Sequence, residues 1–371
     1  MKVRVPRRAL ADATSWSASH LAPKPTVPAR AGILLEATDG DQLTVAGVDW
    51  DVTTHNTIDA DVHEPGRIVI PGRLAAQVIS TYRDDLIDIT TDAGRAVLTA
   101  GRDRFMLTML PEAEYPAIAE RPTPDGTVDG AHFSEAVRQA AVATDPTVAA
   151  EPWRGGIQLT AEDDRLTVWA TDRYRMAERS VPWTPTSDGD RAGALVPARS
   201  LADAVKGMNA DGKLHLTLTG KTAGLADDTR YTTLVRIDEH GRKDPHQYLP
   251  DEFVTEAIIP VDQLVAAVKR ACLVATDRKP KILVGFGSDE ISVRAAGEDT
   301  GAVAMDVVDG QHLNGPAMQV AFGPTNLLDG LQVIATSEVR IGLTSNVKPA
   351  LLHAVGDESD YRYLVMPVRL A

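Results

Sequence analysis

One cysteine, no long apolar run and no catalytic signature mark out what this chain cannot be. Cys272, alone among 371 residues, can form no internal disulfide and build no thiolate metal site. It follows Val261, Leu264, Val265 and Val268 at helical spacing, so a buried core thiol is expected. No apolar stretch approaches the roughly 20 residues that span a bilayer. The opening MKVRVPRRALADATSW lacks the apolar segment and small-residue cleavage site of a secretory leader, and a cytoplasmic address is expected.

Enzyme signatures are missing too. GxSxG, HExxH and GxGxxG do not occur. TGKT, from Thr219 to Thr222, ends like a phosphate loop, but His215 stands where that loop needs its first glycine. His240 and His246 share a loop without a close second set of ligands, so no metal and no cofactor are expected. Basic residues are in deficit, 38 against 52 acidic, and a net charge of −14 excludes a surface that binds nucleic acid all over.

What is present is repetition. LTVAGVD from Leu43, LTVWATD from Leu166 and ISVRAAGED from Ile291 alternate as half-buried strands and recur about every 120 residues. GRIVIPGRLAAQVIS, GALVPARSLADAVKG and MQVAFGPTNLLDGL follow in turn. Each reads as a short strand, a proline turn and a helix with an apolar stripe led by Leu74, Leu201 or Leu327. RRALADATSWSASHL, HFSEAVRQAAVAT and VDQLVAAVKRACLVA precede the motifs as further helices. Strand pairs follow: DLIDITTD with AVLTAGRDRFMLTML, KLHLTLTG with TRYTTLVRI, and EVRIGLTS with DYRYLVMPVRL. The polar segments ERPTPDGTVDG and LPDEFVTEA mark the joints. The expected fold is α+β, three repeated domains of two helices on antiparallel sheet, covering 1–122, 127–250 and 254–371. Open sheet edges at the ends of such a row favour closure by a second identical chain.

DRYRMA after LTVWAT, GRDRFMLTMLPEAEYP and the terminal YLVMPVRL, together with the threefold plan, resemble the bacterial DNA polymerase III beta subunit, the sliding clamp family. The resemblance covers essentially the whole chain. It implies a ring-shaped head-to-tail homodimer that encircles duplex DNA without reading sequence. It also implies tethering of the polymerase III alpha subunit, the clamp loader and other proteins carrying a clamp-binding peptide, with no membrane role.

The resemblance assigns residues as well. One wall of a peptide pocket between the second and third domains falls on Thr171, Arg173, Tyr174, Arg175 and Met176, with Gln247 and Tyr248 beside it. The other wall falls on Leu364, Met366, Pro367, Val368, Arg369 and Leu370, with Gly323 and Asn326 nearby and Val347 and Pro349 in the deep part. DNA-facing cations fall on Lys24, Arg73, Arg138, Arg199, Lys206, Lys269 and Arg270. Helical spacing independently leaves Arg138, Arg199, Lys206, Lys269 and Arg270 off the apolar stripes, where they would attract phosphates without reading bases. The dimer contact falls on Arg102, Arg104, Phe105 and Leu107 on one side and Leu273, Val274, Glu298 and Asp299 on the other.

Departures cluster around the pocket. Lys243 and Asp244 stand where the family usually has an aromatic followed by proline, Gln247 and Tyr248 where it often has other residues, and Gly323 where asparagine is common. They motivate the competing reading, a paralogous, phage-type or inhibitor-resistant accessory clamp with altered partners. Asp172 ends a motif that also ends in Asp49, which makes it a turn residue rather than a catalytic acid.

Overall fold

The computed structural model describes residues 1–22, 25–186, 191–240, 242–275, 280–287, 290–297, 301–356 and 360–369. Lys24, Glu298, Asp299 and Leu370 lie outside the described residues. The helices are α1 (Arg7–Ser19), α2 (Gly72–Thr81), α3 (Gly130–Ala141), α4 (Ala198–Lys206), α5 (Val261–Cys272) and α6 (Pro324–Gln332). Pro6 and Pro260 precede α1 and α5 in extended backbone, Pro71 precedes α2 at φ −57° and ψ 107°, and Pro324 opens α6. Proline stops the preceding strand's ladder while its fixed φ suits a helix start.

Two details of the stripes differ from expectation. Leu74 is 48% exposed, and Ala75 takes the buried place four residues after the proline that Leu201 takes in α4. The apolar phase of α2 is thus set by Ala75, Val78 and Ile79. Cys272 is only half-buried, because Leu264, Ala267, Val268 and Ala271 already fill the inner face of α5.

Contacts divide the chain into two compact units that cut through the second repeat. The first unit holds Met1–Ala131, Thr184–Val196 and Ser200–Arg236. Its five-stranded sheet runs Asp61–Glu64, Lys2–Pro6, Leu86–Asp92, Arg95–Ala100, Asp103–Thr108. AVLTAGRDRFMLTML is therefore a hairpin, turned at Gly101, whose φ of 56° places it in the left-handed region. A nine-stranded sheet joins Val52–Asp59 of the first repeat directly to Arg230–Val235 of the second. The strand Gly126–Asp129 belongs to the same sheet, so only the first part of ERPTPDGTVDG is linker. The hairpin partner Thr222–Ala226, within a run without clear alternation, was not read from the sequence.

In the second unit, which holds His132–Trp183, Pro197–Arg199 and Ile237–Ala371, an antiparallel run passes from Gly156–Glu162 through Arg165–Thr171 and Arg175–Pro182 to Arg362–Val365. It continues through Ala350–Ala354, Glu338–Leu343, Thr255–Pro260 and Gln311–Asn314. A four-stranded sheet runs Val303–Val308, Ile291–Ala296, Ile282–Phe286, Met318–Phe322. Helix α6 lies so close to the strand Arg362–Val365 that a Cβ on Gly330 would sit 2.3 Å from the Tyr363 ring. The Tyr363 hydroxyl donates to the Asn326 carbonyl at 2.6 Å. That clamp of helix on strand carries the site.

Candidate functional site

The site begins with a turn. After the strand Arg165–Thr171, Asp172 Oδ1 accepts the N–H groups of Tyr174 (2.9 Å) and Arg175 (3.1 Å). Thr171 Oγ1 accepts the Arg173 N–H and donates to the Arg175 carbonyl at 2.7 Å. These bonds hold Arg173 at φ 80°, a left-handed conformation that a non-glycine residue adopts only when its surroundings compel it. Tyr174 is left 59% exposed. The Arg175 guanidinium turns inward between Asp172, at 2.9 Å, and Asp329 of α6. Asp172 is thus committed to backbone and arginine, which is turn chemistry rather than acid catalysis.

The next strand supplies the floor. Arg175–Pro182 pairs with Arg362–Val365 so that Met176 lies opposite Leu364. Met176, Leu351 and Leu364 form a small buried cluster with Leu249 and Phe253 against it. The Met366 N–H donates to the Tyr174 carbonyl at 2.8 Å, which draws Met366 beside the turn.

A third segment makes the far rim. Asp244 accepts the His246 N–H at 3.0 Å and starts the short helical turn Pro245–Tyr248. The His246 ring is held by Asp244 at Nδ1 (2.6 Å) and by Glu178 at Nε2. Glu178 is 2% exposed and also accepts from Arg362. The hydrogen bond to Glu178 raises the His246 pKa against its own burial. Burial works to raise the Glu178 pKa, but His246 and Arg362 outweigh it and hold the carboxyl below its usual range.

These segments enclose a cleft of about 530 Å³ lined by Trp153, Thr171, Arg173, Tyr174, Arg175, Met176, Lys243, Tyr248, Pro349, Leu364 and Met366. The expected residues Thr171, Arg173, Tyr174, Arg175, Met176, Tyr248, Pro349, Leu364 and Met366 are brought together there. Trp153 was missed. It comes from the short turn Pro152–Gly155, distant in sequence from the motif, and the Arg173 guanidinium lies 5.4 Å from its ring centre. Lys243, noted only as a departure, is also in the lining.

Other expected pocket residues lie outside it. Gln247 lines an adjoining open groove with Tyr248, Asp251, Glu252, Lys348 and Pro349. Val347 is not deep: it is 66% exposed, in a turn where Ser345 Oγ accepts the Val347 and Lys348 N–H groups. Gly323 is the N-cap of α6, and Asn326 contributes its carbonyl to Tyr363. After Met366 the chain leaves the cleft, because Pro367 bridges Phe322 and the Val368 N–H donates to the Ala321 carbonyl at 2.8 Å. Arg369 is exposed.

Of the expected DNA-facing cations, Arg73, Arg138, Arg199, Lys206, Lys269 and Arg270 are exposed on their helices. Several are partly neutralised. Arg138 pairs with Glu135 at 2.6 Å, Lys206 with Asp203 at 3.5 Å and Arg270 with Asp306 at 3.0 Å. Arg73 donates to the Leu21 carbonyl.

Of the expected dimer residues, Arg102, Arg104 and Phe105 are exposed, but Leu107 is 5% exposed and belongs to the core of its unit. Alternation along the strand Asp103–Thr108 turns Leu107 inward and Met106 outward at 55% exposure, while Phe105, on the face of Leu107, meets the Tyr82 ring edge-on and stays 42% exposed. That strand is the last of its sheet. Leu273 is 78% exposed and Val274 half-buried after α5. The strand Val303–Val308, likewise last in its sheet, exposes Val303, Met305 and Val307. This second apolar edge was not read from the sequence. Among the described residues no group of side chains could hold a metal ion, and no helix is long and apolar enough to cross a membrane.

Comparison with known proteins places this geometry. Models of the N-terminal, central and C-terminal domains of the DNA polymerase III beta subunit match residues 1–119, 127–239 and 246–369. The beta sliding clamp of Streptomyces coelicolor is 37% identical over the full length of both chains. A beta sliding clamp homolog, GriR, of Streptomyces muensis is 34% identical over all of this chain and 99% of its own. In fold, the DNA polymerase III subunit beta of Pseudomonas aeruginosa matches with a TM-score of 0.92 at 24% identity, each chain wholly covered. A griselimycin-bound clamp from the same organism matches at 0.93, again at 24% identity with both chains wholly covered.

Proposed function

The chain belongs to the DNA polymerase III beta-subunit family and is a non-catalytic processivity factor of the sliding-clamp kind, and from that premise we propose how its surfaces divide the work. Three clamp domains, at 1–122, 127–250 and 254–371, close head to tail with a second copy into a ring around duplex DNA. Supporting closure, the strands Asp103–Thr108 and Val303–Val308 each end a sheet and expose apolar side chains, edges that a soluble protein covers. Phe105, Met106 and Leu273 join Val303, Met305 and Val307 in that contact, with Arg102 and Arg104 at its margin.

The exposed helix cations Arg73, Arg138, Arg199, Lys206, Lys269 and Arg270, with Lys24, face the DNA. Partial pairing with Glu135, Asp203 and Asp306 weakens each attraction, which suits a ring that must slide along phosphates. The cleft over Met176 and Leu364 binds the clamp-binding peptides of the polymerase III alpha subunit, the clamp loader and other partners.

The observation that carries this reading is the cleft: an adaptable apolar floor of Met176, Leu364, Met366 and Pro349 rimmed by arginines and tyrosines, in a chain matched to the family throughout. Retention on circular but not linear DNA, together with the mass of a dimer in solution, tests closure. Loss of polymerase stimulation in Met366→Ala, with the ring still retained on circular DNA, tests the cleft. Release from circular DNA as readily as from linear would overturn the ring.

The accessory-clamp reading rests on Lys243 in the cleft lining. Ordinary affinity for the host polymerase's clamp-binding peptide would remove it.

A further inference from the structure

The chain carries 14 more acidic than basic charges, yet among the described residues its cleft is lined by three cations, Arg173, Arg175 and Lys243, and no acid. The three are not equivalent. Arg175 is spent inside the protein, between Asp172 and Asp329. Arg173 is held by Glu151, which leaves its side chain 55% exposed. The acids nearest Lys243 in sequence are engaged elsewhere, Glu239 with Arg242 and Asp244 with His246. Lys243 is exposed, and among the described residues no ion pair reaches it.

The backbone around Lys243 is anchored while its head is not. On one side the Arg242 guanidinium stacks 4.6 Å from the centre of the Trp169 ring. On the other, His246 is tied to buried Glu178. The lysine therefore stands at a fixed place on the rim, over apolar walls that exclude water and lengthen the reach of its charge. The adjoining groove has the opposite character, with Asp251 and Glu252 beside Lys348.

Resting on the reading of the cleft as a peptide site, we propose that Lys243 is a specificity-determining residue that selects peptides carrying a carboxylate next to their apolar anchor. The apolar anchor occupies the floor over Met176 and Leu364. The carboxylate accepts from the Lys243 ammonium, since Arg173 is already paired with Glu151. The groove with Asp251 and Glu252 repels a carboxylate placed on that side, so the charge also sets which end of the peptide enters where.

The test uses the full chain and three fluorescein-labelled octapeptides, each with two large apolar residues as anchor and differing only in Asp, Asn or Lys beside it. Binding is read by fluorescence polarisation at low and high salt. The Asp peptide should bind about three- to tenfold more tightly than the Asn peptide, as expected of one partly exposed charge pair. High salt should shrink that ratio. Lys243→Met should abolish the preference, and Lys243→Glu should move it to the Lys peptide. Equal binding of the Asp and Asn peptides, or a preference that survives Lys243→Met, overturns the selectivity and leaves the peptide site standing. Failure of all three peptides to bind overturns the peptide site, and this inference with it.

Discussion

The turn at Val48–Val52 and the turn at Thr171–Arg175 are one design used twice, with different results. In both, the aspartate N–H donates to the carbonyl three residues on, at 2.8 Å from Asp49 and 3.3 Å from Asp172. In both, a strand from the following repeat donates back to the turn: Val235 N–H to the Asp51 carbonyl at 2.9 Å, Met366 N–H to the Tyr174 carbonyl at 2.8 Å. There the likeness ends. Asp172 binds two N–H groups and a guanidinium, whereas Asp49 Oδ1 is buried with no hydrogen-bond partner among the described residues. The second turn opens a cleft over Met176. The first carries Trp50, 67% exposed, with the Arg30 guanidinium 3.9 Å from its ring centre. A repeated backbone therefore makes a position available, and the side chains decide whether it becomes a site.

The largest effect should come from untying the second turn. Arg175→Ala leaves Asp172 and Asp329 without their shared cation and should cost about 3 kcal/mol of stability, measured by urea denaturation. A cost below about 1 kcal/mol would mean the turn does not depend on that pair. Next, Asp172→Ala should cost about 2 kcal/mol, while Asp49→Ala changes stability by less than about 0.5 kcal/mol, because only Asp172 satisfies backbone donors. Equal costs would erase the contrast between the turns. Met366→Ala should weaken peptide binding by about tenfold through lost apolar contact in the cleft. Trp50→Ala should leave it unchanged, and titration of both variants with one labelled peptide checks the pair.

The smallest effect concerns pH. The folded His246 pKa lies above its ordinary 6.5, so its contribution to stability is complete below that value and fades as pH rises through the folded one. Glu178 is the reverse case, contributing above its ordinary range and failing as pH falls through its depressed value. The stability difference between the native chain and His246→Gln should therefore be larger at pH 6 than at pH 9. A difference that grows with pH would remove the Glu178 anchor from the account of the rim.

The threefold plan was legible because strand alternation and helical spacing repeat, and every helix from α1 to α6 except α3, which starts at Gly130, begins at a proline the eye can find. Phase within a helix was less legible. Leu74 looked like the leading apolar residue of α2, but the helix starts at Gly72, which turns Ala75 inward and Leu74 out. In the same way Leu107, expected on an exposed contact, faces the core while its neighbour Met106 is exposed, since adjacent strand residues point to opposite faces. The cleft floor was readable from YLVMPVRL together with RYRM. Trp153 was not, because nothing local ties Pro152–Gly155 to a turn that follows a whole hairpin later. A signal existed in the repeat itself: Pro28–Ala31 precedes its own hairpin as Pro152–Gly155 does.

The pairing of Arg175–Pro182 with Arg362–Val365 also has a consequence in time. Glu178 and Arg362 lie 184 residues apart, so the floor of the cleft is absent while a ribosome is still translating the stretch between them. Helices and hairpins of the earlier repeats can form as they emerge, because their contacts are local. A growing chain thus lacks this cleft until the strand that carries Leu364 is out, and a prematurely released one never completes it.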